Sequence, residues 1–212
     1  MTTSKINMSL MDAIYQRSSV RSYSPERLDE TTIRTLLAAA VRAPTAVHLE
    51  PWTFAILQDT GSLKRLSDRA KPLFLEELHR AHLDRGGHAL DIFASPDFNI
   101  FYNASTLIII CGKPMGPFVV ADCWLAAENL MLAACSMGLG TCVIGSAVPA
   151  LNIPEIKADL GIPGELTPIA PIIVGVPSGE TPPTARKEPA VVLWPEEITR
   201  TERKTCYSQP RQ

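Results

Sequence analysis

The sequence lacks the features that mark membrane, secreted and nucleic-acid-binding proteins. Its formal net charge is −2 over 212 residues, so any basic site must be local rather than spread over the surface. The first ten residues, MTTSKINMSL, contain neither the apolar core nor the cleavage signature of a secretory signal. The longest apolar stretch, residues 118–145, is interrupted by charged residues and three glycines, so it falls short of the roughly 20 uninterrupted residues that span a membrane. We therefore expect a cytoplasmic protein that binds neither nucleic acid nor a membrane.

Cysteine pairs in metal-binding or redox spacing are also lacking. The five cysteines, at positions 111, 123, 135, 142 and 206, include no Cys-x-x-Cys pair, and their number is odd. Four of them lie in apolar runs, where cysteine usually behaves as a small core residue. We expect free thiols in a reducing compartment, and we interpret Cys142 as a packed residue rather than a nucleophile.

The sequence contains no complete nucleotide-binding or metal-binding motif. The glycines of GLGTCVIG (138–145) follow a long apolar segment instead of a strand, which reverses the order of the dinucleotide fingerprint. His79 and His82 lie three apart on a predicted helix, with His88 beyond them, but the charged residues around them are typical of a solvated face. No P-loop and no local Ser-His-Asp or Cys-His arrangement is present. We therefore predict no metal ion and no catalytic nucleophile.

The overall composition is that of a packed globular protein. Apolar residues make up 46% of the chain and charged residues 20%, which is ample for a hydrophobic core. No internal repeat and no clean boundary divides the sequence. We therefore predict one α+β domain over residues 1–212, with about 178–212 as an extended, proline-rich C-terminal arm.

Hydrophobic patterns place the main elements along the chain. The strands are predicted at TFAILQ (53–58), TLIIICG (106–112) and IAPIIVGVP (169–177). The helices are predicted at about 9–17, 30–43, 62–83, 119–137 and 154–160. The segment 119–137 is apolar on nearly every side, which predicts a long helix buried in the core. AVVLW (190–194) has strand character but follows the arm, so it needs a surface on which to pack, and a second subunit is one candidate.

Three polar stretches each have an ordinary and a functional interpretation. RSSVRSY (17–23) places two arginines around hydroxyl groups, although a solvated turn has the same composition. RAPTAVHLEPW (42–52) has a path restricted by two prolines, although it could be a plain connection between a helix and a strand. Arg186 and Lys187 stand alone in the arm, where a solvated basic pair is the simpler interpretation.

In this order, and together with the glycine turn, these stretches resemble the FMN-dependent nitroreductase family. RSSVRSY resembles the family's Arg-Arg-Ser-Val-Arg-x-Phe, and APTAVHLEPW resembles Ala-Pro-Ser-Ala-x-Asn-x-Gln-Pro-Trp. GLGTCVIG matches the family's Gly-Leu-Gly-(Ser/Thr)-Cys-x-Ile-Gly turn, and VGVP with the downstream ARK matches its last motif. The resemblance extends from about residue 10 to residue 188. It implies a nitroreductase-like α+β fold, with a central mixed β-sheet packed by helices and a C-terminal arm that reaches the partner subunit.

The resemblance also implies which residues bind the phosphate and ribityl end of FMN. These residues are Arg17, Ser18, Ser19 and Arg21. Arg186 would add a positive group from the arm, with Lys187 as a weaker candidate. The chemistry agrees, because a phosphate monoester carries about −1.5 to −2 charge and guanidinium groups donate charge-assisted hydrogen bonds to its oxygens.

The same resemblance implies a flavin shared between the subunits of a homodimer. The residues implied to approach the flavin of the neighbouring subunit are Pro44, Thr45, Ala46 and His48. The residues implied to lie along the isoalloxazine ring are Val143, Ile144, Gly145 and Ser146. A backbone N–H of Gly145 or Ser146 would then bind the flavin N5 atom. His48 and Glu50 stand where the family usually has Asn and Gln, and a Glu50 that faced the ring would make flavin reduction harder.

The activity that the resemblance implies is ping-pong hydride transfer. NADH or NADPH reduces the flavin and leaves, and an electron-poor nitroaromatic or quinone then takes its place. Three alternatives remain open at this level. One is a related flavoenzyme that performs dehalogenation or flavin cleavage, with a substrate lid within residues 71–102. The others are a non-catalytic FMN-binding module and an obligate dimer whose basic clusters are only solvated.

Overall fold

The computed structural model describes residues 8–82, 91–182 and 184–193. Helix α1 (Leu10–Gln16) begins at a capping box, in which the Asp12 N–H donates to Ser9 Oγ and the Asp12 carboxylate accepts from Ser9. Helix α2 (Glu30–Ala40) begins at Asp29, whose carboxylate accepts from the Thr32 N–H. Both caps satisfy N–H groups that have no partner within the helix. The two helices confirm the predicted positions, although α2 ends three residues early.

Among the described residues four further α-helices follow, of which α3 is the longest. The bounds are α3 (Thr60–Arg80), α4 (Val119–Ser136), α5 (Val148–Leu151) and α6 (Pro154–Asp159). Helix α3 contains Pro72 and continues through it, so the predicted lid region begins with regular helix. His79 lies in this helix and His82 just after it, whereas His88 lies outside the described residues. Among the residues that are described, no group of three or more potential metal ligands comes together.

The sheet has four strands in the order β1-β2-β4-β3. The strands are β1 (Trp52–Leu57), β2 (Thr106–Gly112), β3 (Gly140–Val143) and β4 (Thr167–Gly175). Three of them confirm the predicted strands, and β3 forms within the stretch that was interpreted as a glycine turn. The expected mixed sheet is corrected here, because all ladders among these strands are antiparallel. The direction of a strand depends on how the connecting segments cross the sheet, and a run of apolar residues contains no information about that path.

Two hydrophobic clusters cover the two faces of the sheet. All seven residues of β2 are buried, as expected for a central strand. Side chains of α2 and α4 pack on one face, and side chains of α3, α5 and α6 pack on the other. Fully buried examples on the first face are Leu36, Ile108, Leu130 and Ile172. The sheet is therefore the rigid middle layer between two layers of helices.

Helix α4 is the predicted core helix, but one of its faces stays uncovered. Cys123, Ala126 and Leu130 are completely buried, whereas Val120 and Trp124 are 55% and 40% exposed. By length and composition alone α4 could cross a membrane, a test that buried helices of soluble proteins also pass. Composition alone does not distinguish a helix face that packs on the chain's own core from a helix face that another molecule covers.

The described part of the C-terminal arm is extended and exposed. Residues 184–193 contain neither helix nor strand, and Val192 and Leu193 are almost fully exposed. The strand character predicted at 190–194 is therefore not realised over residues 190–193 of the single chain. Residue 194 and Cys206 lie outside the described residues.

Two paired glycines let the segment that follows α1 pack directly on the sheet. Gly140 of β3 lies opposite Gly175 of β4 in the ladder. A Cβ on Gly140 would lie 2.8 Å from three side-chain atoms of Val20, and a Cβ on Gly175 would lie 2.9 Å from the Tyr23 ring. Both distances are shorter than real carbon contacts, so the absence of side chains here is what brings segment 20–23 against the sheet.

We predict that Gly140→Ala destabilises the protein by about 1–3 kcal/mol, because the added methyl overpacks the contact with Val20. The free energy of unfolding from urea denaturation measures the loss. Gly164→Ala is the matched control, because a Cβ there meets nothing within 4 Å. Equal unfolding midpoints for the two variants would show that the contact is not tight.

Candidate cofactor site

The segment RSSVRSY runs along strand β3 rather than through solvent. Ser19 forms a parallel bridge with Thr141, and the Val20 N–H donates to the Thr141 carbonyl at 2.9 Å. The Tyr23 hydroxyl donates to the Val20 carbonyl at 2.7 Å. These bonds hold the backbone between Arg17 and Arg21 against the sheet, which excludes a free surface turn.

Both arginines of the segment act electrostatically on one buried thiol. Burial raises the pKa of Cys142 above its ordinary value. Arg21, a hydrogen bond with Ser19, and Arg17 partly offset this rise in the pKa, in that order of size. The two guanidinium groups therefore lie within electrostatic reach of the same point. A raised pKa also keeps the thiol protonated, which agrees with Cys142 as a packed residue.

The two arginines nevertheless line different cavities. Arg17 and Ser18 line a cavity of about 190 Å³ between α1 and the start of β3. Arg21 lines a second cavity of about 300 Å³, which is bounded on its far side by residues 97–103. The structure therefore brings the predicted phosphate ligands of segment 17–21 to one edge of the sheet, but not into a single closed pocket.

Each guanidinium has a partner within the chain. Arg17 Nε lies 3.6 Å from Glu128 Oε1 of α4, in a pair whose side chains are 21% and 50% exposed. Arg21 donates to the Ser19 carbonyl at 3.4 Å, and its guanidinium carbon lies 5.9 Å from the centre of the Tyr102 ring. Partly exposed contacts of this kind are weak, so an anionic ligand could replace them.

The loop between α2 and β1 contains three residues in the left-handed region. Val47, His48 and Glu50 have φ values of 46°, 57° and 47°. Such values are uncommon outside glycine and are least favourable for a β-branched residue such as Val47. The Val47 side chain is 83% exposed, and the His48 and Glu50 side chains are also exposed. The Ala46 N–H donates to Asp122 Oδ1 at 3.2 Å, which attaches the loop to α4.

The turn that follows β3 leaves backbone open to an approaching group. The Ile144 N–H donates to the Pro171 carbonyl, and the Ala147 N–H donates to the Ile144 carbonyl. Gly145 lies between them, is exposed, and has open space where a Cβ would stand. A planar ring could therefore lie against Gly145, with Val143 and Ser146 on either side.

The basic pair of the arm does not join the other predicted residues in the single chain. Arg186 and Lys187 are exposed, and Arg186 Nη1 donates to the neighbouring Ala185 carbonyl at 3.4 Å. Neither residue lines the two cavities beside Arg17 and Arg21.

Sequence reasoning missed three residues that shape this region. Asp122 holds the loop at Ala46, Glu128 pairs with Arg17, and Tyr102 lies under Arg21. A weak signal existed for the first two, because they are the acidic residues of an otherwise apolar helix. Tyr102 carried no such signal, because its contact depends on how the segment before β2 folds back.

The chain is similar to proteins of one family over most of its length. The model of the nitroreductase family matches residues 14–176. A protein of Archaeoglobus fulgidus named "Putative NADH dehydrogenase/NAD(P)H nitroreductase" is 28% identical over 172 residues, which are 79% of this chain and 84% of that protein. The iodotyrosine deiodinase of Thermotoga neapolitana is 24% identical over 182 residues, which are 84% and 94% of the two chains.

The fold agrees with a solved structure at similar coverage. A nitroreductase with bound FMN from Bacteroides fragilis superposes with a TM-score of 0.73 at 26% sequence identity, covering 89% of this chain and 98% of that one. Of the motifs that suggested the resemblance, RSSVRSY and the glycine turn lie at the β3 edge of the observed sheet, whereas APTAVHLEPW leads into β1 at the opposite edge. The family model spans more than half of the 212 residues. The chain therefore belongs to the nitroreductase family.

Proposed function

We propose that this protein is a cytoplasmic, FMN-dependent NAD(P)H oxidoreductase that reduces electron-poor small molecules such as nitroaromatics and quinones. One observation carries the proposal. The segment with Arg17 and Arg21 is bonded to β3 at Thr141, and the open turn at Gly145 directly continues that strand. A group that binds anions and a surface that accepts a planar ring are therefore joined by a few residues of extended chain, as FMN requires.

The donor set beside β3 fits a phosphate. Arg17 and Arg21 supply charge-assisted donors, and Ser18 and Ser19 supply hydroxyl donors. Arg21 is exposed, so its side chain can rotate toward a ligand shared with Arg17. Arg186, with Lys187 as the weaker candidate, would be brought in when the arm folds over the bound phosphate.

The turn after β3 fits the isoalloxazine ring. Val143, Ile144, Gly145 and Ser146 would lie along the ring, and a backbone N–H of Gly145 or Ser146 would donate to N5. When bound, the flavin supplies the hydride chemistry between NAD(P)H and the substrate. The chain's own part is to orient the ring and to leave one face open, so no side chain is required as a nucleophile.

We also propose that the active form is a homodimer. An exposed apolar surface covers parts of α1 and α4, which pack against each other. Its members are Leu10, Met11, Ile14, Tyr15, Phe118, Val120, Trp124 and Leu125. Exposed apolar side chains that include aromatic residues, on two helices that pack together, are typical of a protein interface. A second copy seated there would bring Pro44, Thr45, Ala46 and His48 of its loop toward the flavin. We also propose that residues 1–212 form a single domain, whose C-terminal arm would pack on the second copy.

The first prediction concerns the reaction itself. Purified protein incubated with FMN should retain flavin absorbance after excess FMN is removed. NADH or NADPH added without oxygen should bleach this absorbance, and a nitroaromatic or a quinone should restore it. A protein that takes up no FMN contradicts the proposal. Bound FMN that neither nicotinamide reduces would instead support the non-catalytic module.

A second reaction is supported by one specific observation, the similarity to an iodotyrosine deiodinase. The nicotinamide-reduced protein can be offered 3-iodotyrosine and a nitroaromatic in parallel. Release of iodide, with slow reduction of the nitroaromatic, would favour reductive dehalogenation over the proposed activity.

The second prediction concerns the phosphate. Arg17→Ala and Arg21→Ala should each weaken FMN binding about 10- to 100-fold, because a charge-assisted hydrogen bond contributes about 1.5–3 kcal/mol. Riboflavin, which lacks the phosphate, should bind these variants as it binds the wild type. Fluorescence quenching measures both affinities. The matched control is Arg34→Ala, which removes an exposed arginine of α2 that pairs with Glu30. Equal losses for FMN and riboflavin would contradict a phosphate role.

The third prediction concerns the dimer. Wild-type protein should have the mass of two 23.1 kDa chains in light scattering, and Trp124→Glu should shift it to the mass of one. Ile92→Glu is the control, because it charges an exposed apolar residue outside the surface of α1 and α4. A monomeric wild type, or a Trp124→Glu variant that remains dimeric, would contradict this interface.

A further inference from the structure

A buried carboxylate lies beneath the strained loop. Asp122, in the first turn of α4, is only 4% exposed and belongs to none of the four family motifs. Its Oδ1 accepts from the Ala46 N–H, and its Oδ2 is buried without a hydrogen-bond partner among the described residues. A buried carboxylate with incomplete hydrogen bonding is unfavourable. Its neighbours in the buried face of α4, Cys123 and Ala126, are apolar, so packing alone does not require an acid here.

The bond from Asp122 reaches the loop at the place where its backbone becomes strained. Ala46 immediately precedes Val47 and His48, which adopt left-handed φ values, and Glu50 does so two residues later. Such conformations persist only when the surrounding structure determines them. The Val47 side chain is exposed, so packing contributes little there. The hydrogen bond to Asp122 is the connection that ties this part of the loop to a rigid helix.

We propose that Asp122 is a positioning residue that holds Ala46 to His48 in the conformation that contacts the flavin. This inference rests on the proposed function. The bond joins the Ala46 N–H to Asp122 Oδ1. It runs from the backbone, so it sets the path of the loop whatever side chains the loop carries.

A purely structural role would have a different signature. If Asp122 only stabilised α4 or the core, its loss would lower the melting temperature without changing how a bound flavin is held. The buried thiol of Cys123, next to Asp122, suggests no alternative role for the carboxylate. Burial raises the pKa of Cys123 to about 12, with smaller contributions from Cys111 and Asp122, so this thiol stays protonated.

The experiment compares Asp122→Asn with Asp122→Leu. Asn keeps an oxygen that can accept from Ala46, whereas Leu has a similar size and no acceptor. We expect FMN affinity within about threefold of wild type for Asp122→Asn, and a loss of at least tenfold for Asp122→Leu. The visible circular dichroism of bound FMN should change only in Asp122→Leu, because only there does the loop leave the ring.

Ser105→Ala is the matched control for lost stability. Ser105 is 2% exposed, and its hydroxyl donates to the Glu26 carbonyl at 2.7 Å, far along the chain from the loop. This variant also loses one buried bond between a side chain and the backbone. It should melt earlier than wild type while keeping wild-type FMN affinity and the wild-type flavin spectrum.

Two results would overturn the proposal while leaving the flavin function intact. One is an Asp122→Leu variant with wild-type FMN affinity and an unchanged flavin spectrum. The other is an equal loss of FMN affinity in Asp122→Asn and Asp122→Leu, because the acceptor would then not matter. If wild type itself binds no FMN, the proposed function fails instead.

Hydrogen exchange in the protein without FMN provides a test that needs neither cofactor nor a folded Leu variant. The Ala46 amide of wild type should exchange at least tenfold more slowly than the Val47 amide, and Asp122→Asn should preserve this difference. Equal exchange rates for the two amides of wild type would show that Asp122 does not hold the loop.

Discussion

The contact between segment 20–23 and the paired glycines of β3 and β4 determines where the candidate cofactor site lies. Because Gly140 and Gly175 have no side chains, Val20 and Tyr23 can pack directly on the strands. The Val20 N–H then bonds to β3, and the arginines on either side are held at the same edge. A larger residue at either glycine would move the segment outward and separate the cationic groups from the turn after β3. The position of the charges is thus a consequence of packing, not of the charges themselves.

The two inner strands of the sheet are enclosed by helices, whereas the edge strand β3 is short and more open. Strands β2 and β4 are covered by helices on both faces, whereas β3 has four residues and carries the site on its outer side. A short edge strand gives little opportunity for unwanted pairing, and loops on a rigid scaffold commonly carry function. The loop at 46–50 lies before β1 at the opposite edge, and its Ala46 N–H donates to Asp122 of α4.

Structural features that depend on local sequence patterns were predicted, whereas features that depend on partners distant in the chain were missed. The three long apolar runs became strands β1, β2 and β4 within two residues of their predicted ends, because prolines and glycines bound them. Strand β3 was missed, since its four residues are extended only by pairing with β4. The family motifs were recognised through their order along the chain, but order did not show that Arg17 and Arg21 line separate cavities. Asp122 was missed because its hydrogen-bond partner is 76 positions away.

The ion pair between Arg17 and Glu128 shows how a site for an anion can be kept ordered without being blocked. An arginine with no partner would sample many rotamers, and fixing it on binding would cost conformational entropy. Glu128 restricts Arg17 beforehand, at a separation of 3.6 Å and with its own side chain half exposed. A pair of this kind contributes only about 0–1 kcal/mol, so a doubly charged phosphate with three acceptor oxygens would displace it at little cost. The net charge of −2 fits this proposed arrangement, because Arg17 is paired locally with the carboxylate of Glu128.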